Sequence, residues 1–245
     1  MIKVTYQDHM GDDLATVNAA RVSFGKTSKL VCTNLILGIY ELAKGDRSLI
    51  SFLAREKHFS PFGHSYVKFH VKAPIFVARQ LVKHKFLRWN ETSRRYVDDK
   101  PEFYVPDAWR GRSDDKKQGS DGVVEGVWDL EVITGALETD EFGEMFVPYE
   151  DVTTCTMNFM EAQIQFYEQL LEHGVAPEQA RMVLPQSVMT EWIWSGSLDA
   201  FAAMCRLRCA SDTQYETRLV ADQINEEMIK LFPLSWGALM ENDDG

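Results

Sequence analysis

The sequence of 245 residues predicts an α+β fold in a single domain, with more helix than strand. Three observations lead to this prediction. Apolar residues recur at helical spacing in several long stretches, a few short stretches have the alternation or composition of strands, and no internal repeat or low-complexity tract interrupts the chain. Hydrophobic residues make up 45% of the chain and charged residues 26%, which is typical of a globular protein with a sizeable core.

The N-terminal part of the chain predicts one strand followed by two helices. Residues 2–6 (IKVTY) are rich in β-branched side chains, which favours a strand. Apolar residues within 30–43 recur at helical spacing, so a helix is expected there. Gly45 is suited to stop that helix, and Asp46 is suited to cap a second helix that ends at about Arg55.

The middle of the chain predicts a strand, a helix and an acidic surface segment. Residues 65–72 alternate strictly between apolar and polar side chains, which indicates a half-exposed strand. Pro74 suits the first turn of a helix that is expected to reach about Phe86. Acids outnumber bases in residues 111–150, glycine is frequent and periodicity is weak, so this stretch is predicted to be an acidic loop or insertion.

The C-terminal part of the chain is predicted to be largely helical. A long helix is expected from Asp151 to Glu172, and Gly174 ends it. The remaining predicted elements are a short helix at 176–183, a strand at 187–194 and helices at 197–208 and 211–231. Together these elements are expected to form one domain over residues 1–245.

Charge and cysteine usage exclude several classes of protein. The net charge of −11 argues against a nucleic-acid coat protein, whose surface would be basic. The four cysteines lack C-x-x-C spacing and the histidines lack ligands at zinc spacing, so no metal site is predicted. Unpatterned cysteines suit a reducing compartment, and the sequence shows neither a signal peptide nor a membrane-spanning stretch. We therefore expect a cytoplasmic protein without membrane contact.

One short segment carries a net charge opposite in sign to that of the whole chain. Residues 79–95 (RQLVKHKFLRWNETSRR) hold six bases and one acid, a net charge of +5, so the rest of the chain carries −16. A run of charges is usually a solvated face. In this run the bases are interleaved with polar side chains and lie where a predicted helix passes into a loop. Cations concentrated within an anionic chain favour a pocket for a small anion, and phosphate matches their geometry.

A second polar cluster lies in residues 206–218 (RLRCASDTQYETR), where surface ion pairs are an equally good interpretation. Arg181 stands alone in an apolar context and needs a partner in the protein or in a ligand. The chain lacks G-x-S-x-G, Walker and G-x-G-x-x-G motifs, which removes the usual support for serine hydrolases, P-loop NTPases and Rossmann dehydrogenases.

The basic segment resembles the signature of flavin-dependent thymidylate synthases, which is R-H-R-x7-S continued as N-E-x-S-x-R-Y. Lys83-His84-Lys85 occupies the first three positions, Ser93 follows after seven residues, and NETSRRY covers 90–96. Five further blocks match the family in order. They are NAARVSF (18–24), HFSPFGH (58–64), APIFVARQ (73–80), ARMVLP (180–185) and LR-x5-Q-x-E (207–216).

The chain also departs from the family's pattern. Both arginines of the signature are lysine (Lys83 and Lys85), and its first serine is Arg88. Lysine keeps the charge but loses the bidentate geometry of a guanidinium. The glutamate of the family's H-x-(S/T)-P-F-E-H block is Gly63, and 195–204 (SGSLDAFAAM) lacks the Asn and Arg contacts that some members make to the flavin.

The resemblance implies a methyltransferase that converts dUMP to dTMP. Methylenetetrahydrofolate would supply the carbon, and FAD, reduced by NADPH, would supply the hydride. The resemblance also implies helices packed around a small, mainly antiparallel sheet, and a homotetramer whose subunits share active sites. The expected partners are therefore dUMP and folate as small-molecule substrates, and no nucleic acid is expected.

Carried over position by position, the resemblance also implies the site residues. The catalytic set is Arg208, Ser93 and Glu91, in which Arg208 would stabilise negative charge on the uracil ring and Glu91 would organise the site. No general base that could activate the hydroxyl lies beside Ser93 in the sequence, so a binding role is preferred to a nucleophilic one. The dUMP set is Gln80, Lys83, Glu91, Ser93, Arg94, Arg95, Arg181 and Arg208. The FAD set is Ser60, Lys83, His84, Lys85, Glu91 and Ser197.

Two other hypotheses remain open at this point. The stretch FLRWNETSRRYV interleaves bases with aromatic residues, which is also typical of a non-catalytic nucleotide or single-stranded nucleic-acid binder. Binding of oligonucleotides without FAD would favour that hypothesis. The third hypothesis is a family member that has lost its activity, because lysine replaces both signature arginines.

Overall fold

The computed structural model describes residues 1–97, 99–112, 120–124, 127–128, 138–139, 142, 145–146 and 150–241. The chain divides into two compact units that interleave along the sequence. The first unit comprises Met1, Ala73–Ala78 and Thr92–Thr190. The second unit comprises Ile2–Lys72, Arg79–Glu91 and Glu191–Gly245.

Helices and short strands follow one another along the described residues. The α-helices are α1 (Asp13–Arg21), α2 (Lys44–Arg55), α3 (Ile75–Leu81), α4 (Val152–Glu172), α5 (Pro177–Ala180), α6 (Leu198–Arg208), α7 (Tyr215–Leu231) and α8 (Pro233–Glu241). The 3-10 helices are Val22–Phe24, Ser60–His64 and Arg181–Val183. The longer strands are β1 (Lys3–Met10), β2 (Val31–Asn34), β3 (Ile39–Glu41), β4 (Tyr66–Pro74), β5 (Arg88–Glu91) and β12 (Met189–Ser197). Strands of two or three residues lie between them: β6 (Arg110–Gly111), β7 (Asp121–Val123), β8 (Val127–Trp128), β9 (Glu138–Thr139), β10 (Met145–Phe146) and β11 (Glu150–Asp151).

A four-stranded sheet in the order β1-β4-β12-β5 is the centre of the second unit. β1 pairs antiparallel with β4 from Lys3 opposite Lys72 onward, and β12 pairs antiparallel with β5 from Trp192 opposite Glu91 to Ser195 opposite Arg88. The predicted α+β class with a small antiparallel sheet is confirmed. The predicted half-exposed strand is confirmed as well, because β4 buries the alternate residues Val67, Phe69 and Val71.

Aromatic side chains fill the core on which this sheet packs. The Trp89 ring on β5 stacks on the Trp192 ring of β12, with ring centroids 4.2 Å apart. Trp194 and Phe69 both pack edge-on against Phe201 of α6, at 5.5 and 5.4 Å. Such aromatic pairs add to the hydrophobic free energy of burial. The cluster therefore joins α6 to β4, β5 and β12.

The helix expected over 30–43 is wrong, because β2 and β3 form an antiparallel hairpin there. The carboxamide oxygen of Asn34 accepts hydrogen bonds from the backbone N–H of Ile36 and Leu37, at 3.1 Å each. Gly38 has φ of 62°, a left-handed conformation that closes the turn. The apolar residues that suggested a helix face do not form one: Leu30, Val31, Leu35 and Ile39 are exposed, whereas Leu42 is buried. Local turn chemistry thus outweighs the apolar spacing.

The second predicted helix is present, but Asp46 is not its cap. α2 begins at Lys44, which places Asp46 in its first turn with only 3% of its surface exposed. The Asp46 carboxylate forms an ion pair with Arg21 and accepts a hydrogen bond from the Ser28 hydroxyl at 2.9 Å. The buried carboxylate is satisfied by these partners and ties α2 to α1.

Other element boundaries also differ from the expectations. α3 ends at Leu81, short of Phe86, and α7 begins after Gln214 instead of Ser211. Helix α8 was not predicted, because apolar residues lie all around it and leave no stripe at helical spacing. The long helix at 151–172 is confirmed as α4.

The first unit contains α4, α5 and the segments that pack on them. The indole N–H of Trp109 donates to the hydroxyl of Thr153 at 3.0 Å, which fixes the 99–112 segment to α4. Backbone hydrogen bonds also join Ile75 and Phe76 to Val188 and Gln186. The acidic segment predicted at 111–150 lies largely outside the described residues. None of the helices within the described residues is long and apolar enough to cross a membrane.

We expect Gly196→Ala to destabilise the second unit. A Cβ at Gly196 on β12 would lie 2.2 Å from the Leu87 Cδ2, so the Leu87 side chain must move and its packing is lost. Overpacking of this kind costs about 1–3 kcal/mol. Urea unfolding followed by circular dichroism measures the change. The control is Gly237→Ala in α8, where no neighbouring atom lies within 4 Å of the new Cβ. This control is expected to be neutral or more stable by up to about 1 kcal/mol. Equal stabilities of the two variants would contradict the prediction.

Candidate active site

The signature segment 83–87 forms a tight turn between α3 and β5. The helix ends at Leu81, and the backbone N–H of His84 donates to the Leu81 carbonyl at 3.1 Å. Phe86 adopts φ of 65°, a left-handed conformation that is unusual for a side chain of this size. Leu87 then packs over Gly196, which has room for it because it lacks a Cβ. The turn therefore presents His84 and its flanking lysines from a rigid support.

His84 is hydrogen-bonded to Arg208 at the C-terminal end of α6. The Arg208 Nε donates to the His84 Nε2 at 3.1 Å. Burial, and secondly the positive charge of Arg208, lower the pKa of His84 from 6.5 to about 4. His84 is consequently neutral at pH 7, and because Nε2 accepts the hydrogen bond we assign its proton to Nδ1. Burial also lowers the pKa of Arg208, whose guanidinium remains charged.

A network of polar side chains connects the end of α3 to the start of α7. The Gln80 Nε2 donates to the Gln214 Oε1, and the Thr217 hydroxyl donates to the Gln80 Oε1 at 3.2 Å. The Gln214 Nε2 also lies 3.3 Å from the Glu216 Oε2, within hydrogen-bond distance. Both Gln214 and Glu216 belong to the LR-x5-Q-x-E block, but no role was predicted for them. The signal in the sequence that could have identified them as site residues is their place in this motif block.

A cavity of about 230 Å³ lies beside His84 in the second unit. Its walls combine cations, a carboxylate, a neutral imidazole and two aromatic rings. The Arg206 Nη1 donates a hydrogen bond to the Leu239 carbonyl at 2.7 Å. The lining residues are Phe59, His84, Lys85, Phe86, Asp199, Ala200, Ala203 and Arg206. Of these, only His84 and Lys85 were predicted as site residues. Asp199 was missed because the SGSLDAFAAM stretch departs from the family's pattern, and Arg206 was noted in the polar cluster at 206–218 but given no role.

The remaining predicted site residues of the second unit lie at its surface or at element ends. Lys83 and Lys85 are exposed, and Ser60 is the first residue of a 3-10 helix. Ser197 occupies the N-cap position of α6, but its hydroxyl makes no capping hydrogen bond. The Glu91 carboxylate accepts a hydrogen bond from the Trp89 indole N–H at 3.0 Å.

Four predicted dUMP residues belong to the first unit. The Arg95 Nε donates to the Ser93 hydroxyl at 3.1 Å. An Nη of Arg94 donates to the Asp99 carbonyl at 2.5 Å. Arg181 is exposed, and its Nε donates to the carbonyl of Glu178 at 3.2 Å. The charged guanidinium of Arg95 beside the Ser93 hydroxyl cannot act as a general base, which agrees with a binding role for this serine.

The family described as thymidylate synthase complementing protein, Thy1, matches residues 6–234. The chain belongs to this family. The resemblance inferred from the sequence motifs is confirmed. A flavin-dependent thymidylate synthase of Thermus thermophilus is 38% identical over 235 residues, which cover 96% of this chain and 74% of that protein. A flavin-dependent thymidylate synthase of Thermosipho africanus is 34% identical, with 96% and 89% covered.

A solved structure resembles this chain in fold. It is the UMP/dUMP methylase PolB from Streptomyces cacaoi bound with 5-Br dUMP. Its TM-score is 0.72 at 29% sequence identity, and the alignment covers 97% of this chain and 94% of PolB. A second PolB structure, bound with 5-Br UMP, aligns with a TM-score of 0.70 at 31% identity.

We expect the low pKa of His84 to make stability depend on pH between about 6.5 and 4. As the pH falls through this range, the unfolded chain takes up a proton at His84 that the folded protein does not accept until about pH 4. The free energy of unfolding therefore decreases as the pH falls. The His84 contribution to this decrease is about 2 kcal/mol, because partial exposure of the side chain weakens the effect. Urea unfolding at pH 7, 5.5 and 4 measures the fall.

The comparison variant is His84→Gln, which keeps an acceptor for Arg208 but does not titrate. Between pH 7 and 4, the free energy of unfolding of this variant is expected to fall less than that of the wild type. The difference between the two declines is the contribution of His84. Parallel declines in the two proteins would contradict the assigned pKa.

Proposed function

We propose that this chain is a flavin-dependent thymidylate synthase that converts dUMP to dTMP. FAD is its cofactor, methylenetetrahydrofolate its carbon donor and NADPH its reductant. Family membership and the dUMP-analogue-bound structural neighbour support the reaction class. The observation that carries the proposal is the His84–Arg208 hydrogen bond, which joins the signature segment to the LR-x5-Q-x-E block.

Arg208 acts as the cation at the uracil ring. Its Nε is held by His84, so its two terminal nitrogens point in a fixed direction and donate to none of the described residues. A preoriented guanidinium stabilises negative charge that develops on the pyrimidine as the new carbon–carbon bond forms. The neutral state of His84 matters because a protonated imidazole would repel the guanidinium and lose the acceptor.

The dUMP set binds and orients the nucleotide. Gln80 is held by Thr217 and Gln214, which fixes its carboxamide for hydrogen bonds to the base. The cationic members of the set, together with Ser93, supply donors that match a phosphate. Glu91 organises the site as a hydrogen-bond acceptor. The phosphate-binding members are Lys83, Ser93, Arg94, Arg95 and Arg181.

The cavity beside His84 has the chemistry that a flavin dinucleotide requires. Lys85 and Arg206 supply positive charge for its phosphates, and the Phe59 and Phe86 rings supply apolar surface for a flat ring system. The flavin set that the resemblance implies is Ser60, Lys83, His84, Lys85, Glu91 and Ser197, of which His84 and Lys85 line this cavity. When bound, the flavin supplies the hydride for the reductive methylation, and the protein binds and orients it.

Three further properties belong to the same proposal. Residues 1–245 act as one catalytic domain, and four copies form a homotetramer that shares its active sites. The free cysteines Cys32, Cys155, Cys205 and Cys209 suit a reducing cytoplasm. The nucleic-acid-binder hypothesis is not favoured, because the chain belongs to the Thy1 family and its relatives are named flavin-dependent thymidylate synthases.

We expect the purified protein to bind FAD and to form dTMP. Absorption spectra before and after addition of dUMP would show a flavin band that dUMP perturbs, and chromatography would show dTMP from dUMP, methylenetetrahydrofolate and NADPH. Omission of each substrate in turn is the control. Colourless protein that neither binds added FAD nor forms dTMP would overturn the proposed function.

We expect Arg208→Lys to lower kcat/KM for dUMP by about 100-fold or more, because lysine cannot reproduce the fork of donors held by His84. The matched control is Arg218→Lys, in the next helix. Arg218 donates to the Ser211 carbonyl at 3.0 Å and is not assigned to the site, so its variant is expected to stay within about threefold of wild type. Comparable activities of Arg208→Lys and wild type would refute the role of Arg208.

A further inference from the structure

Asp199 carries a buried oxygen without a partner at the wall of the cavity. It lies in the first turn of α6, and it lines the cavity together with His84, Lys85 and Arg206. Its Oδ1 is buried and accepts no hydrogen bond from any of the described residues. Native proteins leave few buried acceptors unsatisfied, since such an atom costs stability. Other buried polar atoms of the described residues also lack a partner, but Asp199 lines a cavity, so a molecule bound there can supply the missing donor.

Gly63 lies beside this carboxylate, at ordinary van der Waals distance. A Cβ built at Gly63 would lie 3.9 Å from the Asp199 Oδ1. The corresponding block of the family has glutamate at this position, H-x-(S/T)-P-F-E-H, where the present chain reads HFSPFGH. In this chain, the acidic group next to the 3-10 helix Ser60–His64 thus comes from α6 instead of from position 63.

The chemistry of the unpartnered oxygen restricts what it contacts. A phosphate bears the same sign of charge as the carboxylate and, when ionised, offers only acceptors, so it does not satisfy the Asp199 Oδ1. A hydroxyl or an N–H group does satisfy it. A flavin dinucleotide carries both kinds of donor, on its sugar chains, its adenine and its flavin ring, at a distance from its phosphates.

We propose that Asp199 is a cofactor-binding residue that accepts a hydrogen bond from a hydroxyl or N–H donor of the flavin. The assignment rests on the proposed function, because it requires a flavin in the cavity beside His84. In this assignment, a part of the flavin dinucleotide that carries hydroxyl or N–H donors lies next to Asp199, and the phosphates of the cofactor lie elsewhere.

Titration with FAD, followed by flavin fluorescence, tests the assignment. We expect Asp199→Ala to raise the Kd for FAD at least tenfold. Asp199→Asn retains an acceptor oxygen at the same place, so it is expected to stay within about threefold of wild type. The control is Glu226→Ala, an exposed acid on α7 of the same unit, which is expected to bind FAD like wild type. Circular dichroism of each variant verifies that it is folded.

The outcomes separate this assignment from the proposed function. Wild-type protein that binds no FAD overturns both. FAD binding by wild type together with unchanged binding by Asp199→Ala overturns the role of Asp199 alone. Binding by Asp199→Asn that is as weak as that of Asp199→Ala also overturns it, because the carboxylate charge would then matter instead of an accepted hydrogen bond.

A transfer of the carboxylate provides a second test. In the Asp199→Ala background, Gly63→Glu places an acceptor on the opposite side of the same space, and we expect it to recover FAD affinity to within about fivefold of wild type. In the wild-type background, Gly63→Glu brings two carboxylates together and is expected to weaken FAD binding. A double variant that binds no better than Asp199→Ala would overturn the assignment of this space to the cofactor.

Discussion

The hydrogen bond from the Arg208 Nε to the His84 Nε2 is the interaction on which the candidate site depends. It joins residues that are 124 positions apart in the chain, one in a turn after α3 and the other at the end of α6. The bond requires an imidazole without a proton on Nε2, and burial beside a guanidinium keeps His84 in that state. The half-buried guanidinium of Arg208 and the neutral imidazole of His84 thus define each other's orientation.

The support for this pair is largely apolar. The stacked rings of Trp89 and Trp192 hold β5 against β12, and Phe201 anchors α6 on the same cluster. Leu87 packs over Gly196, so the signature turn lies against β12. A rigid core of this kind is what keeps polar groups at the geometry that catalysis needs.

The fold and the site were predictable to different degrees. The strand at 65–72 and the helix at 152–172 followed from the spacing of their apolar residues, which local geometry imposes. The hairpin at 31–41 did not, because Asn34 and Gly38 form a turn whose hydrogen bonds override the apolar spacing. Gln80 and Arg208, which the motif blocks marked as site residues, make polar contacts in the candidate site, whereas Asp199 lies in a stretch that departs from the family's pattern.

The sequence by itself determined the α+β class and the family, and it named candidate site residues, because periodicity and ordered motif blocks are local properties of the chain. Only the tertiary structure decided which of these side chains meet. The pairing of His84 with Arg208, the lowered pKa of His84 and the unpartnered oxygen of Asp199 across from Gly63 all depend on burial and on contacts between distant segments. Those quantities arise from three-dimensional packing, which spacing along the chain does not encode.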